Sequence, residues 1–110
     1  MSAVSNKAIS DYLSKAGVFH SNRGYKFLMM GLRAILDGEV DRYCIQAVYD
    51  YVAIKSNVTS GTVDRAIRHA VRRTEESVPN KEFLLRAADE LALTADANAF
   101  IFESAKPSGQ

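Results

Sequence analysis

Between Arg65 and Arg73 the chain sets four arginines and one histidine among alanine, isoleucine and valine. Arg65, Arg68, His69 and Arg72 recur at steps of three and four, so a helix would gather them on one side, with Arg73 at its end. Guanidinium groups are fixed forks of N–H donors that match phosphate oxygens and the O6/N7 edge of guanine. Ahead of them stand Ser60 and Thr62, which add hydroxyls, and Asp64, which can orient an arginine or accept from a cytosine amino group. The chemistry on offer is recognition of DNA. A helix with an apolar stripe and arginines opposite is, however, more often a solvated surface, so the pattern needs support from its surroundings.

Other chemistries find less in this sequence. A nucleophilic enzyme would have to use Cys44 with His69, and Cys44 lies in no nucleophile motif; it reads as a small, partly buried thiol at a helix start. His20 and His69 have no cysteine, histidine or carboxylate at ligand spacing, so no metal is expected. "SGT" at 60–62 is better read as the start of a helix than as a phosphate loop. We therefore expect no enzyme activity, no cofactor and no small-molecule substrate.

The elements that must position the arginines are legible from periodicity. Ser5 or Asn6 caps a first helix with Ile9, Tyr12, Leu13 and Ala16 on one face, ended by Gly17. "VFHSNRG" is a loop. A second helix, about 24–36, buries Leu28, Leu32, Ile35 and Leu36 and stops at "DG"; Gly31 within it marks a weak point or a close helix contact. A third, about 41–56, buries Ile45, Val48, Tyr49 and Val52. Asn57 tolerates left-handed dihedrals and can turn the chain; Thr59 or Ser60 caps a fourth helix, about 61–74, that buries Val63, Ala66, Ile67 and Ala70. "SVPN" breaks it. A fifth, about 81–93, packs Phe83, Leu84, Ala87, Ala88 and Leu91 inward; beyond it a short sixth is expected at 96–104, with an extended "AFIF" as the alternative.

The fold expected is thus all-α, one domain spanning 1–110, a bundle of five to six helices. With 110 residues and 47% hydrophobic content it can bury a modest core. A single cysteine, no signal-peptide pattern and no membrane span point to the cytoplasm. Net charge is only +1, yet residues 1–73 hold 11 basic and 6 acidic residues while 74–110 hold 3 and 7. A local basic face is what a specific nucleic-acid binder needs.

Helices three and four, with a short turn between them, have the pattern of a helix-turn-helix at about 43–73. Ala53 is small at the crossing, Asn57 turns, Val58 fills the corner, and Val63 and Ala66 anchor the second helix. In such a unit the second helix enters the major groove and its first outward residues reach bases. Thr62 and Arg65 are so placed, with Asp64 assisting; Arg68, His69, Arg72 and Arg73 suit the backbone, helped by Lys55 and Arg42.

At "VDRAIRHAV" the sequence resembles the C-terminal DNA-binding domain of the stage-zero sporulation response regulator family of endospore-forming bacteria. The likeness takes in "GV" at 17–18, "GY" at 24–25 and Asn57-x-Thr59, covers roughly residues 8–73, and is most specific in "RAIRHA" from Arg65 to Ala70. It implies a recognition helix opening near Ser60, promoter boxes bound by tandem or paired copies, and contact with RNA polymerase. It also implies a base contact for Arg65 and places Arg68 and His69 near the DNA backbone. Thr62 stands where the family commonly has arginine and Asp64 where it has glutamate, so a different box is expected. Seven residues precede the matched region, so a receiver domain is expected to be absent. Beyond Arg73, either "PNKEFLLRAADEL" corresponds to the family's last helix or "AKPSGQ" corresponds to the segment leading into it.

Three readings of function follow. The first is sequence-specific binding of double-stranded DNA by a transcriptional regulator. The second is a protein-interaction module that pairs with a full-length sporulation-type regulator or with RNA polymerase and reads no DNA. RNA binding is the third, but no regular series of stacking aromatics supports it; Tyr43, Tyr49 and Tyr51 read as helix-packing residues. Salt separates the first two, because only a DNA binder loses affinity steeply as counterions compete.

Overall fold

A computed structural model describes the backbone of residues 3–105 and the side chains as far as Ala95. Among the described residues it is all helical, with five helices: α1 (Asn6–Ala16), α2 (Arg23–Leu36), α3 (Ile45–Ser56), α4 (Ser60–Arg72) and α5 (Asn80–Ala105).

Local chemistry sets the boundaries. Ser5 caps α1 by accepting from the Ala8 N–H, and Gly17, at φ 97°, closes it, with Val18 N–H donating back to the Leu13 carbonyl at 2.9 Å. Asn22 caps α2. Asn57 ends α3 at φ 56°, ψ 46°, and Val58 N–H returns to the Ala53 carbonyl at 3.0 Å, the same C-terminal lock as at Gly17 but built on asparagine. Thr59 caps α4.

The core is one cluster. Ile9, Leu13, Leu28, Leu32, Val48, Val52, Val63, Ile67 and Leu84 are fully buried in it, and α5 adds Phe83, Ala87, Ala88 and Leu91. Gly31 is a close contact: a Cβ there would stand 3.1 Å from Val48 Cγ1. Gly24 is closer still. A Cβ on it would lie 2.4 Å from the Ala66 carbonyl oxygen and 2.7 Å from Ala70 Cβ, so the start of α2 rests directly on the backbone of α4.

Five expectations change. Helix α3 begins at Ile45 rather than near 41, because Asp41 first forms a turn, its Oδ1 accepting from Tyr43 N–H and its carbonyl from Cys44 N–H. Cys44 is exposed at the N-cap, and Tyr43, 69% exposed, packs no helix. Helix α4 stops at Arg72, since the Thr74 hydroxyl, buried, turns back to the Val71 carbonyl at 2.6 Å. No separate sixth helix forms: α5 runs unbroken through 96–104, where nothing like the Pro79 break interrupts it. Residues 106–110 of "AKPSGQ" lie outside the described residues.

Candidate nucleic-acid interface

Helix α4 is gripped on its inner side by Val63, Ile67, Ala70 and Val71, all buried, which turns Arg65, Arg68, His69 and Arg72 outward. Arg73, at the C-cap, is exposed too. Thr62 is half-buried: its N–H donates to Thr59 Oγ1 at 3.1 Å and its hydroxyl meets that oxygen at 2.9 Å. Ser60 donates its hydroxyl to Asp50 Oδ1 across the turn. That bond, and then the Gln46 amide, hold the exposed Asp50 carboxyl below the usual carboxylate range.

The outward residues divide. Arg68 is tied to Asp64, Nη2 to Oδ2 at 2.6 Å. Arg65, His69, Arg72 and Arg73 have no ion pair among the described residues, and the Arg65 guanidinium lies back over Gly61. Of the two auxiliary cations, Arg42 is paired with Asp89 at 2.8 Å, and Lys55 sits 5.3 Å from the Tyr51 ring centroid. Arg42 is thereby committed to α5 rather than to the α4 face.

One residue that sequence reasoning missed organises the Asp64 edge. Asn80, 8% exposed at the first position of α5, donates through Nδ2 to Tyr49 Oη at 2.9 Å and to the Asp64 carbonyl and Oδ1, each at 3.2 Å. It joins α3, α4 and α5 at one point. Burial pushes the Tyr49 phenol above its ordinary pKa. The available signal was weak: an asparagine after proline reads as a helix cap, and only the fold brings Tyr49 and Asp64 to it.

The described residues hold no group of three or more histidines, cysteines or carboxylates arranged for a metal. No described helix is long and apolar enough to cross a membrane.

The architecture is an all-α bundle in which α3 and α4 are joined by a short turn through Asn57, with α2 and α5 packed around them. Compared with protein families, residues 9–91 match the family described as "Sporulation initiation factor Spo0A C terminal". The chain belongs to that family, the C-terminal DNA-binding domain of a sporulation transcription regulator and not an enzyme family. The match runs past Arg73 into α5, to Leu91. No curated protein and no solved structure gives a match.

Proposed function

We propose that this chain binds double-stranded DNA in a sequence-specific way, with α4 as the recognition helix in the major groove, and acts as a transcriptional regulator. The observation that carries the reading is the outward face of α4: Arg65, His69, Arg72 and Arg73 stand exposed and, among the described residues, without carboxylate partners, on a helix that follows a short turn. Unneutralised cations on a rigid helix are suited to phosphate and to the guanine edge.

In this reading Thr62 and Arg65, near the start of α4, face bases. Arg65 supplies a fork worth about 1–3 kcal/mol of discrimination at a guanine. Arg68, His69, Arg72 and Arg73 take backbone phosphates, and Ser60 opens the helix at the DNA surface. Asp64 acts indirectly, because its carboxylate is engaged by Asn80 and Arg68. Binding as a homodimer or tandem pair and contact with RNA polymerase are part of the same proposal, on family membership.

The test is selection of bound sequences from a random duplex library, followed by titration of the winner at two salt concentrations. A discrete motif bound with steep salt dependence is the expected result. No enrichment, with weak binding even at low salt, would replace this reading with the interaction module.

A further inference from the structure

Beside the exposed face of α4 runs a groove of about 460 Å³, walled by the start of α3, by α4, and by the segment entering α5. Ile45 and Val78 supply apolar floor, and the Asn80 amide bonded to Tyr49 supplies a fixed polar one. Arg68, Arg72 and Lys81 stand around it, against one carboxylate, Asp64. Both oxygens of that carboxylate are already engaged, Oδ1 by Asn80 and Oδ2 by Arg68.

Two helices also begin here. The N-cap of α3, Cys44, makes no side-chain capping bond, and Asn80, opening α5, spends its amide on Tyr49 and Asp64. Helix starts carry partial positive charge, which favours an anion and disfavours a cation. Lys81, in the first turn of α5, is exposed and forms no ion pair among the described residues. Its position is the wrong one for stability and the right one for holding an anion against the rim.

We infer that this groove is a phosphate site, with Lys81 as a direct ligand beside Arg68 and Arg72. Phosphate fits better than carboxylate, since two guanidinium forks on the α4 wall and an ammonium on the α5 wall line one groove and a phosphate offers acceptors in several directions. Arg68 and Arg72 belong both to the groove and to the outward face of α4. A phosphodiester of a duplex lying along that face is therefore the source to which the geometry points. The inference rests on the DNA reading of α4 and carries the interface beyond the helix pair onto α5.

The experiment compares the full chain with Lys81→Ala and Lys81→Arg. Each is titrated with the selected duplex across a range of salt, and amide shifts are followed by NMR as inorganic phosphate is added. Lys81→Ala is expected to fold with undiminished stability, to lower the slope of log affinity against log salt by about one, and to leave sequence preference unchanged. Lys81→Arg should restore the slope, and phosphate should shift the amides of Ile45, Asn80 and Lys81. If the chain binds DNA and Lys81→Ala keeps the full slope, the inference is overturned while the role of α4 stands. If the chain binds no DNA but phosphate still moves those three amides, the groove is a site for a free phosphate compound and it is the DNA reading that fails. Neither DNA binding nor shifts would overturn both.

Discussion

The two edges of α4 are built on opposite principles. Along one, Asp64 and Arg68 are locked to each other and, through Asn80, to α3 and α5. Along the other, Arg65 and His69 project from the same helix with no ion pair among the described residues. A cation already paired and oriented meets a phosphate in a fixed position with little ordering left to do. One left free keeps its donors for whatever edge it finds, at the cost of ordering a long side chain on binding. On the proposed reading the locked edge suits backbone contacts, which set register, and Arg65 on the free edge suits base readout.

Removing the common support should abolish the contrast. Ile67 is fully buried beneath both edges, and Ile67→Ala should cost about 2–5 kcal/mol in chemical denaturation and weaken DNA binding at every sequence. A loss under 1 kcal/mol would mean that α4 is held from elsewhere. Cutting only the lock is milder. Asn80→Ala strands the Tyr49 hydroxyl and Asp64 oxygens, and about 1–3 kcal/mol of stability should go with it. It should also leave Arg68→Ala with a smaller effect on DNA affinity than in the wild type; strictly additive effects would show that Asn80 does not act through Arg68.

On the free edge the readouts reverse. Arg65→Ala should change stability by no more than about 0.5 kcal/mol yet relax sequence preference, as scored by repeating the library selection. An unchanged motif would remove Arg65 from base reading. Arg72→Ala should weaken all sequences alike and lower the salt slope by about one.

The smallest effect lies at high pH. Burial raises the Tyr49 pKa, so its protonated form is favoured in the fold. The corresponding stability is fully present below the unfolded tyrosine value, about 10, and is lost as pH rises through the folded one. Tyr49→Phe should therefore flatten the alkaline fall in stability. It should do so only in part, because burial raises Tyr12 as well. Identical alkaline curves for wild type and variant would mean that Tyr49 ionises unhindered.

This contrast also marks where the sequence could be read and where not. Periodicity found the buried stripe of α4, the capping chemistry found Asn57 and Thr59, and the run "RAIRHA" found the family, because each signal is contained within a few consecutive residues. The lock was invisible for the opposite reason. Asn80 lies 31 residues from Tyr49 and 16 from Asp64, and no local pattern announces a bond of that span. The start of α3 is illegible for a local reason: Asp41 offers its side chain to a turn as readily as to a helix cap, and periodicity does not separate the two. The ion pair of Arg42 with Asp89, 47 residues away, is equally beyond any local pattern.

Those same spans bear on how the domain is made. In order of synthesis α3, its turn and α4 all precede Asn80, so the Tyr49 hydroxyl and Asp64 Oδ1 lack that donor until it follows. The start of α2 must meanwhile be seated against Ala66, with Gly24 leaving no room for an approximate fit. Helix α4 is thus synthesised before its surroundings are finished, and nascent chains halted short of residue 80 would carry an α4 face whose shape is still unset.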